Sequence, residues 1–227
     1  MFGMLGIVAG IVAPILYAVT VVAGAAATPG YSHARNAISE LIQTGAPAKA
    51  SLDPWFLVYN ALVVTFGVAL SQAFEARTDR HARGAGRFAG GVLAMVGVLG
   101  GVMTLWFPMD PIGSEATPAG TGHVVLAGLV SLASMVAMAS AGLAFSRSGR
   151  WAGYGLYSFV SVTVVFGTGA MAAWSAATGS GWMGLWERLT IGAFLQWLLV
   201  VALAVMARRK RPAWVGVGRR PGRIFMR

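Results

Sequence analysis

The sequence predicts an all-α, polytopic membrane protein: a bundle of six transmembrane helices with a short interfacial helix in the first outer loop. Three observations predict this fold class. The 227 residues are 57% apolar and only 11% charged, with mean hydropathy +0.70, whereas about one-quarter of a soluble domain is charged. Six apolar runs reach the roughly 20 residues that a helix needs to cross the hydrocarbon layer. The ten-residue alternation typical of a membrane β-barrel is absent from the sequence.

Each apolar run is predicted to be helical, because lipid cannot satisfy exposed backbone amides. The first run lacks a basic segment in front of it and exceeds the about 7–15 apolar residues of a signal peptide, so we expect a retained helix. Residues 1–207 then form the transmembrane domain, and 208–227 form a basic cytoplasmic tail. The predicted spans are about 2–27, 55–74, 88–107, 123–145, 151–177 and 185–207.

The basic residues predict the orientation. All but three of the 17 Lys and Arg residues fall in the two even-numbered connections or in the tail; Arg35, Lys49 and Arg188 are the exceptions. Because basic residues are retained on the cytoplasmic side, both termini are predicted to be cytoplasmic and the protein to reside in the plasma membrane. The net charge of +10 is split among short segments beside the spans, which favours the lipid bilayer as the partner and excludes nucleic acid.

Glycines within the spans predict close helix packing. Gly6 and Gly10 are four residues apart, as are Gly97 and Gly101, and small residues at this spacing let helix backbones approach closely. Two alternatives follow: packing within one bundle, or a homo-oligomer formed through these glycine-rich faces.

The first outer connection, about Thr28 to Pro54, carries many polar side chains. Apolar residues recur at helical spacing up to Gly45, which predicts an amphipathic helix of about three turns, lying at the interface or dipping into the bundle mouth. Asn36 and Glu40 share one face of it, either as a solvated side or as a polar network. The candidate ligand-binding residues in this connection are Ser32, His33, Arg35, Asn36 and Ser39.

The second outer connection places a carboxylate near an imidazole. Asp110 follows the third span between two prolines that restrict its backbone, and His123 opens the fourth span. One interpretation is that Asp110 only caps a helix end. The other is that Asp110 and His123 converge at the outer mouth, where they would be candidate catalytic residues together with Glu40.

The sixth span begins with an adjacent acid and base, both candidate ligand-binding residues. Glu187 suits the positive end of the helix dipole, but Arg188 does not, so Arg188 is expected to need a carboxylate partner, either Asp110 or Glu40. Amides inside the spans are expected to find partners within the bundle. They are Asn60, Gln72 and Gln196.

At these outer motifs the chain resembles the DUF998 family of bacterial and archaeal membrane proteins. The similarity covers all six helices, and its most specific parts are Ile-Ser-Glu-Leu at 38–41 and Phe-Pro-Met-Asp at 107–110. The resemblance implies a six-helix architecture and important outer polar positions, with no established activity. Further matching residues are Tyr31-Ser32, Asn36-Ala37, Gly45, Pro47, Gly122-His123, Glu187-Arg188 and Gln196.

No metal site or cofactor is identified from the sequence. His33 and His123, with Glu40 or Asp110, have no metal-motif spacing. A weaker similarity to the ceramidase-like hydrolases, which use a Ser, an Asp and three His around zinc in seven helices, is opposed by the count of six spans and by His81, which falls on the other side. The absence of Cys excludes disulfides, zinc ribbons and thiol nucleophiles.

Three functions remain open, and whether the protein is an enzyme is undecided. The favoured one is a binding or transport-related protein that recognises a lipid headgroup or small polar ligand at the outer cluster, because that cluster has both charges and no recognisable nucleophile. The second is a membrane hydrolase or transferase in which Asp110 orients His123 as the base, with water, Ser39 or Ser32 as the nucleophile. The third is a structural or accessory membrane protein.

Overall fold

The computed structural model describes residues 2–75, 79–147 and 149–209, and within them the fold is all-helical. Among these residues, six helices are long and apolar enough to cross a membrane, which confirms the predicted all-α fold class with six transmembrane helices. Short 3-10 helices at Ile38–Ile42 and Gly149–Trp151 accompany them. The long helices are α1 Phe2–Ala26, α2 Lys49–Glu75, α3 Arg80–Trp106, α4 Pro118–Ser146, α5 Ala152–Thr178 and α6 Met183–Arg209.

Several helices begin before the apolar spans because polar residues stabilise their first turns. Lys49 Nζ pairs with Asp53 Oδ2 at 2.7 Å in α2. The Asp79 side chain caps α3 by accepting two backbone N–H bonds, and Thr117 caps α4. A hydropathy threshold does not detect such capping contacts. Residues 210–227 of the predicted tail lie outside the described residues.

The six helices form a closed ring. Each packs against its neighbours in sequence, and α6 completes the ring against α1. Connections α1–α2, α3–α4 and α5–α6 therefore share one end of the bundle, which we call the loop end. The largest fully buried side chains fill the interior: Trp197, Phe66, Phe74, Phe145, Ile7, Leu41, Leu70, Leu93, Met138 and Leu198.

Three of the four glycines singled out in the sequence, Gly6, Gly10 and Gly97, pack inside the bundle, whereas Gly101 is half-buried. A Cβ on Gly6 would collide with Ala69 of α2, and one on Gly10 with the ring of Phe66. A Cβ on Gly97 would lie 2.6 Å from the Asn60 carbonyl oxygen. These glycines thus let α1 and α3 approach α2 closely.

The amides inside the spans divide into two classes. Asn60 is buried and donates to the Phe56 carbonyl at 2.9 Å. The side chains of Gln72 and Gln196 are exposed on the bundle surface, so the expectation that they find partners inside it is wrong. In α6 the large apolar side chains decide the rotation of the helix: Trp197 and Leu198 face the core, which turns Gln196 outward.

Candidate functional site

Arg188 of α6 holds the first loop against the bundle at the loop end. Its guanidinium donates to the carbonyl oxygens of Asn36 and Gly184, both at 2.9 Å, and to the Tyr31 hydroxyl at 2.5 Å. It also lies 5.5 Å from the centre of the Tyr31 ring, within range of a cation–π interaction. All three acceptors are neutral. The prediction that Arg188 would pair with the carboxylate of Asp110 or Glu40 is therefore wrong for the described residues. The planar guanidinium suits several acceptors at once.

Other residues near the start of α6 also contact the loop. Glu187 Oε2 accepts the Ile38 backbone N–H at 2.6 Å, and Leu185 donates its N–H to the Ala34 carbonyl at 2.9 Å. A Cβ on Gly184 would lie 2.8 Å from the His33 carbonyl oxygen. Glycine at this position therefore permits the close approach.

Within the loop, Glu40 organises the polar side chains. Its Oε1 accepts the Ala37 N–H at 2.6 Å and its Oε2 accepts Asn36 Nδ2 at 2.7 Å. Asn36 Oδ1 in turn accepts the Ser32 N–H at 2.9 Å. Of the two alternatives for Asn36 and Glu40, these hydrogen bonds agree with the polar network, although Asn36 lies outside the helix Ile38–Ile42.

The three-turn amphipathic helix predicted here is reduced to the 3-10 helix Ile38–Ile42. In an α-helix the Ile38 N–H would bond the Ala34 carbonyl, and the Asn36 carbonyl would accept from Glu40. Side chains and backbone of α6 occupy three of these four groups instead. The tertiary contacts replace the helical hydrogen bonds, and the buried side chains of Ile38 and Leu41 anchor the segment in the bundle mouth.

Tyr31 links the two parts of this network. Its hydroxyl donates to the Ala37 carbonyl at 2.8 Å while accepting from Arg188. Burial raises the pKa of the phenol, so the hydroxyl stays protonated at neutral pH and remains a donor. Tyr31 belonged to the family resemblance but was not a predicted site residue, because a single tyrosine beside a turn carries no specific signal.

A cleft of about 390 Å³ opens between the first loop and the second. Among the described residues that line it, Glu40 is the one acid, and none is Lys or Arg. Gln43 also lines it, with Oε1 buried and without a hydrogen-bond partner in the described part of the chain. Gln43 was missed, although its i, i+3 spacing from Glu40 would have indicated it. The other lining residues are Thr28, Pro29, Gly30, Tyr31, Asn36, Thr44, Gly45, Ala46, Pro47 and Pro111.

Asp110 stabilises the second connection. Its two carboxylate oxygens accept the Thr117 backbone N–H and the Thr117 hydroxyl, each at 2.8 Å. These hydrogen bonds lower the pKa of Asp110. Thr117 accepts from the Gly120 N–H as the cap of α4, so Asp110 supports the helix start. This geometry agrees with the capping interpretation.

His123 is oriented by a different group. Its Nδ1 lies 2.8 Å from the Phe107 carbonyl oxygen, and because a carbonyl can only accept, Nδ1 carries the proton. No hydrogen bond joins His123 to Asp110 in the described residues. The orienting role expected of Asp110 is therefore filled by a backbone carbonyl.

The other predicted residues lie around the cleft and the network. The Ser39 hydroxyl donates to Met109 Sδ at 3.1 Å, and so links the two loops. Ser32 lies in a turn, where its carbonyl accepts from Arg35 and Asn36. His33 and Arg35 are exposed. No group of three or more His, Asp or Glu side chains that could hold a metal ion occurs among residues 2–75, 79–147 and 149–209.

Comparison with known families adds an independent observation. A model of the family described as "Protein of unknown function (DUF998)" matches residues 11–204, which is more than four-fifths of the chain. The chain belongs to the DUF998 family. No curated protein and no solved structure matches this DUF998 protein significantly. The matched range includes every predicted site residue, from Ser32 to Arg188.

Proposed function

We propose that this DUF998 protein binds a small polar group bearing hydroxyl or ammonium donors, such as a lipid headgroup, in the cleft at the loop end. The observation that carries the proposal is the charge of the lining: Glu40 is present and Lys and Arg are not. Carboxylate and amide oxygens attract hydrogen-bond donors. A phosphate group would be repelled by Glu40 and would find no cation in the lining.

The Glu40 carboxylate in the cleft is held in a fixed orientation before any ligand binds. The Ala37 N–H and the Asn36 amide hold Glu40 in one orientation, and each carboxylate oxygen keeps a further acceptor site. Arg188 does not neutralise the cleft directly, because its described hydrogen bonds go to Tyr31 and two backbone carbonyls. A fixed acceptor needs little rearrangement when a ligand binds.

The distribution of basic residues supports the sidedness of this proposal. Retention of Lys and Arg on the cytoplasmic side favours cytoplasmic termini and a loop end that faces outward from the plasma membrane. The cleft would then receive a ligand from the outer leaflet or from the external solution.

The enzymatic and structural alternatives have less support. Asp110 and His123 are hydrogen-bonded to Thr117 and Phe107 rather than to each other, so their hydrogen bonds do not support an acid–base pair. Glu187 and Arg188 contact the first loop and hold it in position, so their role in the site is structural. A purely structural role leaves the open, acidic cleft unexplained.

The proposal is tested by native mass spectrometry of protein released from phosphatidylcholine nanodiscs that also contain one other lipid. Phosphatidylethanolamine offers an ammonium donor, phosphatidylglycerol offers hydroxyl donors, and phosphatidic acid offers mainly anionic oxygen. We expect retention of one of the first two over phosphatidic acid. Soluble ethanolamine and glycerol, added separately, distinguish a free small ligand from a lipid headgroup.

Two variants and one control test the cleft itself. Glu40→Gln should weaken retention about 10- to 100-fold, since a hydrogen bond to a charged group contributes about 1.5–3 kcal/mol. Gln43→Leu should also weaken it, and Oε1 of Gln43 has no described bond to lose. Glu115→Gln, an exposed position outside the lining, should have no effect. Equal retention of all lipids, or an equal loss with Glu115→Gln, would contradict the proposal.

A further inference from the structure

The amide of Gln196 lies halfway along the sixth membrane-spanning helix. Gln196 is the middle residue of α6, Met183–Arg209, so about 20 Å of helix extends on either side of it at 1.5 Å per residue. Its side chain is exposed on the bundle surface. In a single copy of the protein, this amide would therefore contact the middle of the hydrocarbon layer.

Exposed hydroxyls in the middle of other helices bond to their own backbone, and the Gln196 amide does not. The exposed hydroxyls of Thr65 and Thr163 donate to the carbonyls of Ala61 and Phe159 in their own helices. No hydrogen bond of the Gln196 side chain occurs within the described ranges. An amide in hydrocarbon without hydrogen bonds costs several kcal/mol, which gives Gln196 a strong preference for a polar partner.

Gln196 lies in an exposed stripe along α6. The stripe has alternating spacings of four and three residues, the pattern of a helix that packs along another helix. No heavy atom of the packed bundle lies within 4 Å of a Cβ placed on Gly192, one turn from Gln196. The stripe residues are Leu185, Leu189, Gly192, Gln196 and Leu203, with the half-buried Leu199 between the last two.

The membrane restricts what can meet this stripe. Two copies of one chain insert in the same orientation, so a two-fold axis along the membrane normal pairs residues of equal depth. Gln196 would then face Gln196, and an amide is both donor and acceptor, so the pair is self-complementary. We propose that the α6 stripe is an interface with a second copy of this chain, closed at its centre by hydrogen bonds between the two Gln196 amides.

This interface differs from the oligomer predicted through the glycine-rich faces. Gly6, Gly10 and Gly97 are occupied by contacts within the bundle, whereas the α6 stripe is open. It is also separate from the cleft at the loop end, so failure of one proposal leaves the other intact.

Cysteine cross-linking in membranes tests the position of the interface. The chain contains no Cys, so each single-cysteine variant reports one site. Oxidation of Leu189→Cys and of Leu203→Cys should give disulfide-linked dimers. Val160→Cys on α5, which is 53% exposed, should stay monomeric. Equal dimer yield from Val160→Cys, linkage to a different protein, or no dimer from either stripe position would overturn the proposal.

Association in lipid bilayers tests the role of the amide. Fluorescence energy transfer between labelled copies, titrated against lipid, should show roughly tenfold weaker association for Gln196→Leu, the scale of two interhelical hydrogen bonds in a membrane. Gln196→Asn should keep most of the association because it keeps an amide. Gln72→Leu, another exposed amide, should leave it unchanged. Wild-type association in Gln196→Leu would overturn the assigned role of the amide.

Discussion

Replacing Arg188 by Lys keeps the positive charge and removes the planar guanidinium that spans several acceptors. In the wild type, two of its hydrogen bonds cross from α6 to the first loop, to the Asn36 carbonyl and the Tyr31 hydroxyl. A single ammonium on a different stem cannot reproduce both geometries and the contact with the Tyr31 ring. Because each such charged hydrogen bond contributes about 1.5–3 kcal/mol, docking of the loop should weaken by about 2–4 kcal/mol.

Hydrogen–deuterium exchange of the detergent-purified protein measures this docking. The Ile38 amide is bonded to Glu187 and exchanges when the loop undocks, so a loss of 2–4 kcal/mol should accelerate its exchange about 30- to 700-fold. Peptides from the centres of the six helices should exchange as before. Arg87→Lys, an exposed position at the opposite end of the bundle, is the matched control. Exchange of the 31–42 peptide within threefold of wild type would refute the assigned role of Arg188.

Two further predictions concern the second connection and the orientation. Because hydrogen bonds from Thr117 lower the pKa of Asp110 below its ordinary 3.8, its stabilising contribution is complete above that pH and is lost as the pH falls through the lowered pKa. The melting temperature of Asp110→Asn should therefore lie below wild type at pH 7, and the gap should close in strong acid; a gap independent of pH would contradict this. For the orientation, a membrane-impermeant maleimide should label Ser114→Cys on intact cells and should label Gly84→Cys only after lysis, and the reverse pattern would exclude an outward loop end.

The six spans could be predicted from the sequence because the lipid bilayer restricts an apolar segment to a helical conformation. A helix is the solution available to a single apolar segment in lipid, so length and hydropathy alone located α1 through α6. The starts of α2, α3 and α4 were less accurate, since Asp79 and Thr117 extend the helices by capping contacts that hydropathy does not measure. Helix rotation was also poorly predicted, as the outward-facing Gln196 shows.

The candidate site was predictable where its contacts are local. Asn36 and Glu40 are four residues apart, and their pairing follows from that spacing. The partners of Arg188 were not predictable, because Asn36 lies 152 residues away in the sequence and offers a backbone carbonyl. Any residue presents such a carbonyl, so side-chain identity gives no signal. Gln43, three residues after Glu40, was within reach of the same spacing argument and was overlooked.

The amino-acid sequence alone determined that this is a six-span membrane protein of the DUF998 type with its acidic and imidazole groups gathered towards one end. That much depends on the transfer of each segment between water and hydrocarbon, which is a property of composition. Tertiary structure decided that the first loop has a 3-10 turn in place of a three-turn helix, and that Asp110 bonds to Thr117 while His123 bonds to Phe107. The reason is that hydrogen bonds are directional and short, so their partners are chosen only when distant segments have packed together.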